Sequence, residues 1–287
     1  MKPTIVILGA GRLGSALAYL IRDAGYPVAA ITAGHRETAV AISQASGIAA
    51  VFDNAAAAAL GDVIILTVPD RVIPAVLTDL LRGKQLHSGQ ILLHTSGAAT
   101  AEILAPAREF GVSVGSMHPL QSFADCETAR ETLAGSAFAV DGDPAAAAAA
   151  SRLVSDLGGG VLNVPPAERA LYHAAACMAS NYLVALLHVS EQLLSRWTGE
   201  EQDAIQALLP LAAGSLRNVA RQGTAAALTG PIVRGDAATV AQHLQVLPLE
   251  LHPVYQSLGR VALELAGERV PAAERKTMAE LLQESDM

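Results

Sequence analysis

Residues Gly9-Ala-Gly-Arg-Leu-Gly14 constrain this chain more than any other feature, because of what stands on either side of them. Before them, Thr4-Ile-Val-Ile-Leu8 is an apolar run that predicts a buried strand. After them, Ser15-Ala-Leu-Ala-Tyr-Leu-Ile21 has helical periodicity. A glycine-rich hexamer alone is weak evidence, but strand, glycine loop and helix in that order at the start of a chain say much more. In such a loop the first glycine permits the tight turn and the second lets a pyrophosphate approach the backbone. The third lets the helix pack close to the strand, so that its positive N-terminal end holds the phosphates. Gly9, Gly11 and Gly14, with Arg12 and Leu13 between them, are therefore expected to bind a dinucleotide. The bare alternative is a strand–helix turn of a doubly wound sheet with no ligand.

Which dinucleotide depends on the end of the second strand, Val28-Ala-Ala-Ile-Thr32. A site for NAD places Asp or Glu about 20 residues past the fingerprint, on the ribose 2′-hydroxyl. Here the chain continues Ala33-Gly34-His35-Arg36, with no acid before Glu37. A missing carboxylate with Arg36 and His35 nearby suits a 2′-phosphate, with Arg12 as helper. The expected cofactor is NADP in preference to NAD.

The length of 287 residues suggests two domains, and 52% hydrophobic with 16% charged residues marks a folded chain. A net charge of −8 argues against nucleic-acid and anionic-membrane partners, which reward clustered Lys and Arg. Cys126 and Cys177 cannot build a disulfide framework. A strand beginning at residue 4 leaves no room for a signal peptide, so a cytoplasmic, soluble protein is expected. The nearly apolar stretch from Ala170 to Val189 tests that view. It contains His173, Ser180, Asn181 and His188 without flanking Lys/Arg bias, which predicts a buried core helix rather than a membrane span.

The first half alternates strand-like and helical stretches, as a mostly parallel sheet requires. Strands are expected at Asp62–Val68, Gln90–Thr95, Val112–Ser116, Phe138–Val140 and Gly160–Val164, with a weak one at Ala49–Phe52. Helices are expected from Pro74 to Leu81 and from Pro144 to Leu157. The alanine runs Ala55–Ala59 and Ala145–Ala150 suit helices. After Pro165-Pro166 the β pattern stops, and helices are expected over about 166–197, 200–222, 236–247, 252–266 and 271–284. The predicted class is α/β: a Rossmann domain over 1–164 followed by an all-helical domain over 165–287.

Ligands of open α/β sheets bind outside the carboxyl ends of the strands, so polar residues there matter most. Val68 and Pro69 are expected against the cofactor, and Asp70 either joins them or merely turns the chain. Ser96 and His118 stand just past strand ends, where hydride transfer would need a coupled proton. An imidazole is the usual group for that, and a serine hydroxyl can hold the reacting group. Alternatively His118 stabilises a turn before Pro119, and Ser96 caps a helix beginning Gly97-Ala-Ala-Thr-Ala-Glu102. His94 is read as a structural strand residue. On a regular long helix His173, Cys177, Ser180, Asn181 and His188 would share one polar stripe, which either faces substrate or bonds to loops. No metal site is expected from His173 and Cys177 without a carboxylate. Beyond them, Asp236 is expected to cap a helix, and Arg234 either clamps an anion or pairs with a loop acid.

Taken together these motifs resemble the 6-phosphogluconate dehydrogenase-like superfamily, and within it the bacterial proteins that pair a Rossmann-like domain with a DUF2520 domain. The segments that carry the likeness are Gly9–Gly14, Val68-Pro-Asp70, His94-Thr-Ser-Gly97, His118-Pro-Leu-Gln-Ser-Phe123, Tyr172-His-Ala-Ala-Ala176 with Asn181, and Thr229-Gly-Pro231 with Arg234-Gly-Asp236. Ser96-Gly97 is similar to the substrate-binding Ser-Gly of hydroxyacid dehydrogenases in this superfamily. His118-Pro119 looks like the His-Pro of prephenate dehydrogenases, where the histidine meets the substrate hydroxyl. Asn181 resembles the asparagine on the first long helix of ketopantoate reductases, whose catalytic lysine is replaced here by His173.

The resulting expectation is an NADP-dependent oxidoreductase acting on a small polar substrate, carboxylate-bearing or an imine or ketone, between the domains. His118 would be the acid/base, Ser96 and Asn181 would orient the reacting group, and His173 would assist. The rival is an NADP(H)-binding sensor without turnover. Apolar helical surface also predicts a homodimer formed through the helical domain.

Overall fold

Short, continuously apolar segments become strands buried on both faces, and this dictates the first half of the molecule. A computed structural model describes residues 1–199 and 201–283. Its strands are β1 (Ile5–Leu8), β2 (Val28–Thr32), β3 (Ala49–Ala50), β4 (Val63–Leu66), β5 (Ile91–His94), β6 (Ser113–Pro119), β7 (Ala137–Gly142) and β8 (Gly160–Asn163). They form one sheet in the order β3-β2-β1-β4-β5-β6-β7-β8, parallel throughout except for the antiparallel pair β6 and β7. All residues of β1 and β4 are buried.

Helices cover both faces: α1 (Arg12–Asp23), α2 (Arg36–Ser46), α3 (Asn54–Ala58), α4 (Ile73–Gly83), α5 (Cys126–Leu133) and α6 (Pro144–Asp156). One face packs Leu17, Ile21, Phe138 and Leu153, and the other packs Val76, Leu80, Leu104 and Ala107. The alanine runs lie in α3 and α6, as their propensity predicts. No helix begins at Ser96. The chain turns through Gly97–Thr100 and enters a 3-10 helix, Ala101–Phe110, with Pro106 inside it. The α5 segment, with its Asp125 cap on the Thr128 N–H, is an element that periodicity did not signal.

The β pattern ends with β8, and the remainder is α7 (Arg169–Ala179), α8 (Asn181–Thr198), α9 (Glu201–Ala227), α10 (Ala237–Val246), α11 (His252–Ala266) and α12 (Ala272–Leu281). They cover the expected helical stretches, although the one expected over 166–197 is divided in two, and residues 200 and 284, at the ends of two others, lie outside the described residues. Asp236 caps α10 by accepting from the Thr239 N–H at 3.0 Å. A small core of Val240, Leu263, Val270, Met278 and Leu282 holds the last helices.

The chain forms two compact units, Met1–Leu183 and Val184–Met287. The division falls beyond the end of the β pattern because α7 adheres to the sheet unit through the buried Arg169 and through Tyr172.

One expectation fails here. The stretch from Ala170 to Val189 is not a buried core helix. Leu171, Met178, Tyr182 and Val184 are all more than 60% exposed, and none of the apolar window in Pro166–Thr198 is buried. That stretch, with mean hydropathy 1.4, is long and apolar enough to cross a membrane. Apolar composition by itself does not determine what covers a helix. Nor is the helix regular: it breaks at Ser180 (φ −118°, ψ −73°), between α7 and α8. The single polar stripe expected from His173 to His188 therefore does not form. His188 is exposed beside Glu191 at 3.4 Å.

Candidate active site

The glycine loop follows from β1 running directly into α1. Gly9 has φ +117°, and a Cβ there would lie 2.8 Å from Val68 Cγ1 and 2.9 Å from the Thr67 carbonyl. A Cβ on Gly14 would lie 2.0 Å from the Gly9 carbonyl, so only glycine lets the helix approach its own strand. Thr67 fastens this turn by donating its hydroxyl to the Gly9 carbonyl at 2.6 Å. Gly11 is different: no atom lies within 4 Å of where its Cβ would stand. It is the N-cap of α1, with no side-chain cap and no acid in the first turn, so among the described residues the amides of Arg12, Leu13 and Gly14 meet no side-chain acceptor. Open space over Gly11 and uncapped helix amides fit a pyrophosphate.

At the end of β2, Arg36 opens α2 and is exposed, with its guanidinium 4.1 Å from the centre of the Phe52 ring. Arg12 is exposed at the start of α1. No acid intervenes between β2 and Arg36.

Further along the same edge, the Ser96-Gly97 turn is held from every side. Ser96 is 4% exposed. Its hydroxyl donates to Asp70 Oδ2 at 2.6 Å and accepts from the Ala99 N–H at 3.0 Å. Its own N–H donates to His94 Nδ1 at 3.1 Å, while His94 Nε2 donates to the Thr100 carbonyl at 3.1 Å. His94 is thus a structural residue fixed in one tautomer, and burial lowers its pKa. The Ser96 and Gly97 carbonyls accept from Arg169, at 2.9 Å from Nη2 and 3.0 Å from Nε. Arg169 is 1% exposed, and its Nη1 has no partner. Burial pulls its pKa below the usual guanidinium value.

This turn forms one wall for two imidazoles. A Cβ on Gly97 would lie 2.6 Å from His173 Cδ2 and 2.7 Å from His118 Nε2, so glycine is what admits both rings. The two rings stand edge to face with centroids 6.1 Å apart. His118 Nδ1 is 2.8 Å from the Tyr172 hydroxyl, and His173 Nε2 is 3.9 Å from Cys177 Sγ. Burial, followed by the nearby Arg169 guanidinium and the His173 ring, holds the His118 pKa down to about 4, so its imidazole is neutral at neutral pH. Burial raises the Tyr172 pKa, with Arg169 acting in the opposite direction.

The fold therefore brings together Ser96, His118 and His173 from the predicted set. Asn181 does not join them: it is exposed at the start of α8, and among the described residues its side chain makes no hydrogen bond. Arg234 is exposed in the second unit, which is described separately. Asp70 takes part in the cluster through Ser96, whereas Arg169 and Tyr172 were not foreseen as site residues. An arginine and a tyrosine at the start of an otherwise apolar helix were the available signal. Among the described residues, no group of His, Cys, Asp and Glu could hold a metal ion. A separate apolar hollow of about 440 Å³ lies within the second unit, beside the His243–Tyr255 hydrogen bond, and none of the predicted site residues lines it.

Residues 2–119 match the model of the Rossmann-like domain, and residues 136–262 match the domain of unknown function DUF2520. No curated protein matches the sequence. Among solved structures, the chain is similar to a Bacteroides fragilis protein provisionally named an NADP oxidoreductase. The two are 21% identical with a TM-score of 0.73, over 92% of this chain and 98% of that one. It is also similar to a Thermotoga maritima protein, 23% identical with a TM-score of 0.72 over the same shares. A third similar structure is the 1-pyrroline-5-carboxylate reductase of Streptococcus pyogenes, 16% identical with a TM-score of 0.64, over 93% and 99% of the two chains. These likenesses show a shared fold.

Proposed function

Because the chain belongs to the proteins in which a Rossmann-like domain precedes a DUF2520 domain, we propose that it is an NADP-dependent oxidoreductase. Its substrate would be a small polar molecule, either an imine or ketone or the corresponding reduced compound, with a carboxylate where an anion clamp is used. The observation that carries this reading is a continuous path of contacts along the carboxyl edge of the sheet. It runs from Gly9 to Thr67, and after the turn to Asp70 it continues through Ser96 and Gly97 to His118 and His173. A dinucleotide whose pyrophosphate lies over Gly11 would extend along that edge towards the two imidazoles. The similar Streptococcus pyogenes protein is named as a reductase of a cyclic imine carboxylate, which agrees in chemical class.

In this reading Gly9, Gly11 and Gly14 with the amides of Arg12 and Leu13 hold the pyrophosphate. Arg36, with Arg12, binds the 2′-phosphate, and Val68 and Pro69 form the wall behind the nicotinamide. Bound NADPH would supply a hydride to the substrate carbon. His118 handles the accompanying proton, and His173 contacts the reacting group. Ser96, whose hydrogen is committed to Asp70, orients that carboxylate and the Gly97 peptide. The exposed apolar faces of α8 and α9 would be covered by a second copy of the chain, giving a soluble, cytoplasmic homodimer.

The test is NADPH oxidation by the purified protein against a panel of ketoacids, imines and pyrroline carboxylates. Turnover abolished by His118→Asn supports the reading. Tight NADP(H) binding with no turnover of any substrate would replace it by a sensor. A monomer in light scattering at micromolar concentration would remove the homodimer.

A further inference from the structure

A neutral imidazole is a poor acid by itself, and His118 is neutral in its buried surroundings. The hydrogen bond on its far side resolves this difficulty. Resting on the oxidoreductase reading, we infer that Tyr172 is a positioning and proton-relay residue. It donates its hydroxyl to His118 Nδ1, so that the imidazole presents Nε2–H to the substrate and is resupplied through Nδ1.

The geometry supports each part. Tyr172 Oη and His118 Nδ1 are 2.8 Å apart, and the two rings stand nearly perpendicular at 87°. Among the described residues the Tyr172 hydroxyl makes no other hydrogen bond, so its hydrogen has Nδ1 as its acceptor. If Nδ1 donated instead, the tyrosine hydrogen would be left without a protein acceptor in a half-buried position. Among the described residues His118 Nε2 makes no hydrogen bond either, and it abuts Gly97, 2.7 Å from where a Cβ would stand. The bonded nitrogen therefore faces Tyr172, and the unbonded one lies along the Gly97 wall, beside His173.

The arrangement also accommodates the product of a relay. The guanidinium of Arg169 lies 5.6 Å from the Tyr172 ring centre, one helical turn before it on α7. That cation opposes the burial that raises the Tyr172 pKa, and so limits the cost of a transient tyrosinate. Other titratable groups facing His118 are His173 on α7, Asp70 after β4 and His94 on β5, with Cys177 beyond His173. Bound NADPH would supply the hydride for the new C–H bond, the electron pair of the C=O or C=N bond passing to the heteroatom. His118 Nε2 gives its proton to that heteroatom, and Nδ1 takes the proton of Tyr172 Oη. The imidazole returns to neutrality as the opposite tautomer. The tyrosinate, held beside Arg169, recovers a proton from water, and the tautomer resets before the next turnover. Charge and atoms balance without an imidazolium being formed.

Two measurements on the full-length protein decide it. Long-range 1H–15N spectra, with His118 assigned by its loss in His118→Asn, should show the Nε2–H tautomer with Nδ1 as acceptor at neutral pH. In Tyr172→Phe that acceptor signature should disappear and the tautomers should mix. An Nδ1–H tautomer in the parent protein, or spectra unmoved by Tyr172→Phe, overturns the inference. In the NADPH assay, Tyr172→Phe should lower kcat by about 100-fold while NADPH affinity stays unchanged. Difluorotyrosine at position 172, a stronger acid, should move the alkaline limb of the kcat profile to lower pH. Full activity in Tyr172→Phe, or an unmoved limb, overturns the relay while the oxidoreductase reading stands. Absence of turnover with every substrate removes that reading and the relay with it, whatever the tautomer.

Discussion

Two glycine turns on the same sheet edge use the absence of a side chain in opposite ways. At Gly11 nothing lies within 4 Å of the missing Cβ, and the space is open to an incoming group. At Gly97 the same space is bordered by His118 and His173 at under 3 Å, and the turn is fixed by Arg169, His94 and Asp70. The first turn is a receptor made of backbone, and the second is a wall that sets the position of reactive side chains. Binding a phosphate needs backbone N–H groups that every residue but proline supplies, whereas placing two imidazoles needs specific partners brought from distant parts of the chain.

The largest expected effect tests what fixes the wall. Arg169→Met removes both donors and leaves two buried carbonyls unsatisfied. Stability should fall by roughly 2–6 kcal/mol in urea unfolding, taking 1–3 per orphaned group. A loss under 1 kcal/mol would mean that the Ser96-Gly97 turn holds itself.

Next in size is an acid effect confined to the wall. An imidazole held near 4 in the folded chain remains neutral where the unfolded chain, titrating near 6.5, takes up a proton. The His118 contribution is therefore fully present above about pH 6.5 and is lost as pH falls towards 4, by at most roughly 3 kcal/mol. His118→Asn should flatten that part of the stability profile. An unchanged slope between pH 6.5 and 4 would show that the imidazole is hydrated and not buried against Gly97.

Substituting the glycines compares the two turns directly. Gly97→Ala forces two rings apart and should cost about 1–3 kcal/mol of stability as well as turnover. Gly11→Ala meets no protein atom and should cost within about 1 kcal/mol, chiefly from a poorer helix cap, yet it should weaken dinucleotide binding at least tenfold. Equal losses of stability would erase the distinction.

The same contrast explains what the sequence made legible. The Gly9–Gly14 turn, the apolar strands and the helices after Pro166 are coded locally, by residues that are neighbours in the chain, and periodicity finds them. Ser96 and His118 could be placed at strand ends by the rule that ligands meet the carboxyl edge. Their partners could not: Arg169 reaches back to Ser96 and Gly97 across 73 and 72 positions, and Tyr172 reaches His118 across 54. Asn181 was placed with His173 by assuming a regular helix, and the break at Ser180 removes that phase relation. The apolar run around it was read as core because hydropathy records how apolar a segment is and not what covers it.

The smallest effects belong to the receptor turn, and they test its choice of cofactor. Arg36→Ala should weaken NADP binding by about 1–3 kcal/mol through loss of a charge-assisted contact, and should leave NAD binding unchanged. Phe52 acts on the same contact indirectly. Its ring lies 4.1 Å from the Arg36 guanidinium and holds an exposed, flexible cation at the end of β2. Removing the ring leaves the charge in place but releases its orientation. Phe52→Ala should therefore weaken NADP by about 0.5–1 kcal/mol, the usual size of an exposed cation–π contact. Calorimetry with both dinucleotides checks each step, because the Phe52→Ala loss should vanish in the Arg36→Ala background. If Phe52→Ala weakens NAD as much as NADP, the ring contacts the part that the two cofactors share, and Arg36 is not what it positions.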